Sequence, residues 1–211
     1  GDEFGVLQCV DINTMTPVWS LNLGDNIDAT PALDLENGTD LALYTGTTVF
    51  NMRREGTCTL SRINGLTGEI VWSYTVPECV YHTDYDLGLE ASPVVGQQSI
   101  GNLVIFTVAC GKDGSQVIAL NKKDGTVAWQ TALPASAVSS PVAVYNEAGN
   151  AWIIQAELDG KINVLSARDG QVLSTVQVEG EISASPAVYG NLLVVGTTGK
   201  GTGGVYCFRI E

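Results

Sequence analysis

Two hydrophobic patterns alternate along the chain. The first is a period-two run that follows a glycine-containing turn. Ile70, Trp72, Tyr74 and Val76 fall on one face after Thr67-Gly68, and Val127, Trp129, Thr131 and Leu133 repeat the arrangement after Asp124-Gly125. Alternation of this kind marks a strand with one buried face, and the glycine supplies the positive φ of a hairpin turn. The second pattern is a short run of β-forming residues, at 41–44, 103–108, 152–155 and 192–195. No stretch sustains a 3.6-residue period between helix caps, so helices should be few.

Both patterns belong to a repeat. A small hydroxyl residue followed by proline and small apolar residues recurs as Ala29-Thr30-Pro31-Ala32, Ala91-Ser92-Pro93-Val94, Ser139-Ser140-Pro141-Val142 and Ala184-Ser185-Pro186-Ala187. Between these lies the turn signature, in Asn64-Gly65-Leu66-Thr67-Gly68-Glu69-Ile70-Val71-Trp72 and again from Asn121 to Trp129. A third copy runs from Ser166 to Ser174, with Ser174 in place of Trp, and a copy shorter by two residues spans Asn13 to Trp19. Ahead of each turn, Cys9, Leu60, Val117, Ile162 and Cys207 are assigned to one apolar column. Ile12, Ile63, Leu120, Leu165 and Ile210 are assigned to another. Each unit of about 45–50 residues then reads as four strands, with Ser-Pro on strand one and Trp on strand four. Such units suit radially arranged blades.

At these residues the chain resembles the pyrroloquinoline-quinone-like (PQQ-like) repeat family, whose units read roughly Ala-Leu-Asp-x-x-Thr-Gly-x-x-x-Trp, then Ser-Pro-x-Val and a short β run. Residues 117–129 and 140–144 match closely, and the resemblance covers nearly the whole chain. It implies an all-β fold, a β-propeller of four-stranded antiparallel blades with about four repeats, forming a partial ring or part of a seven- to eight-bladed one. The chain is read as a single domain, 1–211, with units at about 1–26 (partial), 27–77, 88–134, 135–179 and 180–211 (partial). In this family the Trp docks between neighbouring blades, which makes Trp19, Trp72 and Trp129 structural by resemblance. The repeat builds quinoprotein dehydrogenases, periplasmic assembly lipoproteins and surface proteins alike, so it specifies fold rather than function. Residues 4–22 supply strands three and four of one unit and residues 204–211 strand three of another. Joined, these ends hold one strand too many, so the chain is expected to be a piece of a longer array.

Charge narrows the partners. Ten Lys+Arg stand against 23 Asp+Glu, a formal net charge of -13. Nucleic acid and anionic membrane surfaces would repel such a chain. No apolar run reaches the ~18 residues needed to span a bilayer, and residues 1–5 lack the basic start of a signal peptide. An extracytoplasmic location (periplasmic, cell-surface or secreted) is expected, with any signal outside this chain.

Catalytic groupings are sparse. His82 is the only histidine, so it could give a triad or a multi-histidine metal site only one member. Gly196-Thr197-Thr198-Gly199-Lys200-Gly201 lacks the Ser or Thr that a phosphate loop places after its lysine. The quinone dehydrogenases use adjacent cysteines, and none of the five here are adjacent. No enzyme activity and no resident cofactor are expected. Either of two acidic segments, Asp34, Glu36, Asn37 and Asp40 or Asp84, Asp86 and Glu90, could hold calcium through oxygen ligands, although neither has EF-hand spacing and such loops are commonly just solvated. Cys9 and Cys207 are expected as buried thiols in their column. Cys58 and Cys79 are expected within disulfide reach, with Cys110 as a competing partner. The long links 77–89 and 47–57 should share one face and hold the ligand-binding residues Tyr81, His82, Asp84, Tyr85, Arg53 and Arg54. The expected role is a non-catalytic module that binds a protein or glycan ligand, its ring completed by a second copy or by the remainder of its precursor. The alternatives are a fragment of a quinoprotein oxidoreductase and a calcium-dependent carbohydrate-binding or adhesion domain.

Overall fold

The computed structural model describes residues 1–36, 38–49, 56–80, 87–110, 114–199 and 203–210. Among them the chain forms nineteen strands and one short 3-10 turn, Gln98–Ile100. The first sheet pairs β1 (Val6–Asp11) with β2 (Thr16–Asn22). A four-stranded antiparallel blade follows, built from β3 (Ala32–Glu36), β4 (Asp40–Gly46), β6 (Thr57–Asn64) and β7 (Ile70–Val80); the short β5 (Thr48–Val49), which follows β4 in the chain, joins the next sheet instead. The next blade begins with β8 (Leu87–Gly88) and contains β9 (Val94–Val95), β10 (Leu103–Ala109), β11 (Ser115–Asn121) and β12 (Val127–Leu133). A third comprises β13 (Val142–Tyr145), β14 (Ala151–Ala156), β15 (Lys161–Ser166) and β16 (Val172–Gln177). The last sheet is β17 (Ala187–Tyr189), β18 (Leu192–Thr197) and β19 (Gly204–Arg209). No helix among the described residues is long and apolar enough to cross a membrane.

The apolar residues gather in four slabs between successive sheets rather than in one central core. Leu7 and Trp19 of the first sheet meet Leu43 and Ile63 of the next. Tyr44, Leu60 and Trp72 meet Val104, Phe106 and Ile118. Ile105, Val117 and Trp129 meet Ile153 and Leu165, and Ile154 and Ile162 meet Leu193 and Val195. Successive residues of a strand point to opposite faces. Strand two of a middle blade therefore serves both neighbours: Phe106 faces one slab and Ile105 the other. This is why the second sequence pattern is a continuous apolar run and why all of β10 is buried. Strand one lies inside the array, where β3 contacts β9 and β13 contacts β17.

Hydrogen bonds tie successive sheets together at two radii, near the inner edge between later sheets and on the outer strands between earlier ones. Near the inner edge, the Ser92 N–H donates to Ser140 Oγ at 3.0 Å and the Ser140 N–H donates to Ser185 Oγ at 3.0 Å. The hydroxyls of Ser140 and Ser185 thus cap the backbone of the preceding copy. On the outer strands, Trp19 Nε1 donates to Gly65 O (3.0 Å), Trp72 Nε1 to Lys122 O (2.8 Å) and Trp129 Nε1 to Ala167 O (3.0 Å). Each acceptor lies in the hairpin turn of the following blade. The turn glycines answer two demands there. Gly125 and Gly170 have φ of 72° and 75°, and a Cβ on them would lie 2.7 Å and 2.4 Å from the rings of Trp72 and Trp129. Deeper still, Thr107 Oγ1 and Gln155 Oε1 meet at 2.6 Å across two blades, both fully buried.

Several expectations are corrected. The shorter first hairpin moves the register by two residues. Leu7, paired with Leu21, occupies the place that Leu60, paired with Tyr74, occupies in the next blade. Cys9, opposite Trp19, instead matches Arg62, which is opposite Trp72. Cys207, opposite Val194, falls in the same column as Cys9. Cys9 is accordingly half-buried and Cys207 exposed, rather than buried together. Ile12 is also outside the apolar column and 84% exposed. Strand four of the second sheet does not stop at Val76. A bulge lets β7 run on until Val80 pairs with Thr57.

Candidate functional site

The array presents two faces. One is built from the turns joining strands one to two and three to four, the other from the links joining strands two to three and four to the next strand one. Short tight turns dominate the first. Asp124 Oδ1 accepts from the Thr126 hydroxyl (2.7 Å) and the Thr126 N–H (3.1 Å), and these two bonds hold its carboxyl below the usual aspartate range. Asp169 in the next turn is lowered in the same way by Ser166 and by the Gln171 N–H.

Beside the Asp124 turn, toward the preceding blade, opens a cleft of about 740 Å³, lined by Asp34, Arg62, Asn102, Asn121, Lys122, Lys123 and Asp124. Lys122 is 8% exposed, and its ammonium donates to Asp34 Oδ2 (2.6 Å) and Gly96 O (2.9 Å). Its carbonyl accepts from both Trp72 Nε1 and Arg62 Nη1, the latter at 3.0 Å. A blade-locking hydrogen bond and a buried ion pair therefore share one residue. Asp34 stands inside β3 and pairs with this ammonium, which makes it a strand residue rather than part of a turn. Sequence reading missed the cleft, although Lys122-Lys123 is the only adjacent lysine pair in a chain with ten basic residues. The cleft offers fixed charges and amides, which suit binding a polar group.

On the other face the ends of the two long links meet. Thr48 pairs with Gly88 and Val49 with Leu87, and the Leu89 N–H donates to Thr47 O at 3.2 Å. Residues Arg53, Arg54, Tyr81, His82, Asp84, Tyr85 and Asp86 lie outside the described residues. Glu90 is described and half-buried. The neighbouring junction has a short link stitched down by polar groups that the sequence did not single out. Glu157, fully buried, accepts from the Ala135 N–H (2.8 Å) and from Asn163 Nδ2 (2.5 Å), and Ser115 Oγ accepts from the Ala137 N–H at 2.7 Å.

The same face holds a cluster of thiols. Cys58 and Cys79 are fully buried and Cys110 partly so, all within the slab between the second and third sheets. Cys79 Sγ lies 3.3 Å from Ala109 O. Its thiol is drawn down by the Cys110 side chain, but the Cys58 side chain and burial outweigh this and push it well above the usual cysteine range. All five cysteines are free thiols in this structure.

Antiparallel four-stranded blades packed face to face around an inner rim of Ser-Pro strands define a β-propeller-type repeat protein. The family model described as outer membrane protein assembly factor BamB (PQQ_2) matches residues 3–211, and the chain belongs to that family. It is 25% identical over 192 residues to outer membrane protein assembly factor BamB of Yersinia pestis, a match covering 88% of this chain and 44% of that protein. It is also 30% identical over 108 residues to the beta-alanine-activating enzyme of Danio rerio, covering 49% of this chain and 9% of the enzyme. Among solved structures, BamB from Moraxella catarrhalis superposes with a TM-score of 0.65 at 16% identity, over 99% of this chain and 53% of that one. The chain thus spans less than half the length of the curated relatives it matches.

Proposed function

We propose that this chain is a non-catalytic, extracytoplasmic protein-binding module, with its partner seated on the face formed by the long links 47–57 and 77–89. The observation that carries this reading is the β5–β8 pairing, which gathers the ends of both links on one side of a hydrogen-bonded array. Rigid scaffolds with such links are where recognition concentrates. Tyr81, Tyr85, Arg53 and Arg54 supply aromatic and cationic groups of the kind that anchor protein interfaces. Family membership supports a binding role, and Trp19, Trp72 and Trp129 serve that role by holding blades in fixed relation. Tyr189 and Val205, 89% and 77% exposed on the last sheet, fit a working assembly in which a second copy or the remainder of the precursor covers that sheet.

The test uses immobilised chain exposed to an extract of the source's extracytoplasmic fraction. Wild type and a Lys123→Glu variant, altered on the opposite face, should capture the same protein. Replacing Tyr81, His82 and Tyr85 with Ala should abolish capture while leaving the melting temperature unchanged. Lowered stability with intact capture would show that these residues pack rather than recognise. Loss of capture through Lys123→Glu alone would move the site to the Lys122 cleft.

A further inference from the structure

We infer that Cys79 and Cys110 form a disulfide that staples two neighbouring blades, and that Cys58 stays outside the bond. Three strands bring these sulfurs together: Cys58 lies in β6, Cys79 near the end of β7, and Cys110 immediately after β10. The bulge in the β6–β7 ladder places them. Thr59 pairs with Thr75 but Thr57 pairs with Val80, so β7 carries extra residues at this point and delivers Cys79 beside the Cys58 level of the sheet. Cys79 then reaches out of its own blade, with its thiol 3.3 Å from Ala109 O of β10. Cys110 is the next residue, and its N–H closes onto Gly114 O at 3.0 Å, which fixes its backbone. The Cys79 side chain is engaged by both the Cys110 and the Cys58 side chains.

Access decides between the two partners. Cys58 and Cys79 are both 0% exposed, whereas Cys110 is half-buried at the rim of the same slab. A soluble low-molecular-weight disulfide therefore meets Cys110 first. The Cys110 thiolate attacks that reagent, forming a mixed disulfide and releasing one small thiol, which takes up the proton Cys110 gave. Cys79 gives up its proton and attacks the Cys110 sulfur, and a second small thiol leaves with that proton. Two protein thiols are oxidised to one disulfide, and the reagent is reduced to two thiols. A thiol in an apolar site remains protonated and slow toward a free reagent, so Cys79 reacts second, when proximity to the Cys110 mixed disulfide offsets its small thiolate fraction. The bond would close a loop that contains most of the 77–89 link and would lock the slab in which that link is rooted.

The experiment is native oxidation of the full chain with oxidised glutathione, followed by alkylation and a non-reduced digest. The expected product joins the Cys79 and Cys110 peptides, with Cys58 alkylated only after denaturation. Oxidation should raise the melting midpoint by roughly 10 °C over the reduced chain. Cys58→Ser should retain both the link and the shift, and Cys110→Ser should lose both. A Cys58–Cys79 link would confine the bond to one blade and overturn the staple, as would recovery of free Cys79 and Cys110. If either variant fails to fold, the wild-type digest alone decides.

Discussion

Trp129 and Ser174 occupy the same place in two consecutive blades, and their surroundings differ sharply. Trp129, opposite Ala119 in β12, is 7% exposed and reaches Ala167 O in the next blade. Ser174, opposite Val164 in β16, lies in a strand whose six residues are all exposed. Both strands are fully paired to their own sheets, so backbone pairing alone does not bury an outer strand. Burial comes from the side chains that leave the blade, Trp129 docking on its neighbour and Leu133 packing into the same slab. A Trp carries about 150–250 Å², worth roughly 4–6 kcal/mol at ~25 cal/mol per Å². The chain places that contribution at the blade junctions, where a slab of ordinary aliphatic residues would otherwise have to hold two sheets together.

The largest expected effect breaks the stronger side of the comparison. Trp129→Ala should cost about 3–5 kcal/mol in urea unfolding, because it empties the slab and leaves the Ala167 carbonyl unpaired. Gly170→Ala attacks the same contact from the receiving blade. It combines a left-handed φ with a Cβ 2.4 Å from the Trp129 ring, and should cost about 2 kcal/mol, non-additively with Trp129→Ala because the two residues touch. Acid should loosen these turns next. Asp124 and Asp169 have folded pKa values below their unfolded ones. Their stabilisation is therefore complete above the ordinary aspartate range and is lost as pH falls through the lowered values. A melting series from pH 6 to pH 2 should drop less steeply for the Asp124→Asn, Asp169→Asn double variant than for wild type. At the weak end, Ser174→Ala should change stability by no more than about 0.5 kcal/mol.

Much of this contrast was legible in the sequence. The turn signature, its Trp column and the Ser-Pro spacing located the blades, and the substitution of Ser174 for Trp already marked one strand as different. What those residues do physically was less visible. That a Ser-Pro hydroxyl serves the preceding copy depends on two segments 45–48 residues apart meeting across a rim. The displaced Cys9 column shows how a hairpin shorter by two residues defeats alignment counted from one end of the turn, since pairing is set opposite Trp19. The Lys122–Asp34 pair joins residues 88 apart in sequence, and no periodicity announces it. Nor could spacing show that the β7 bulge brings Cys79 to a strand of the next blade. The link residues Tyr81 to Asp86 were legible only as composition.

The clamp itself can be read from the four indole N–H groups, one for each Trp in the chain. Trp19, Trp72 and Trp129 donate to turn carbonyls of the following blade, whereas the half-buried Trp152 has no such bond among the described residues. Hydrogen exchange followed by NMR, with each resonance assigned by single Trp→Phe replacement, compares them in one sample. Docked blades require slow exchange at Trp72 and Trp129, intermediate exchange at the less buried Trp19, and fast exchange at Trp152. Four indoles exchanging at the same fast rate would contradict the clamp and the rigid blade array that depends on it.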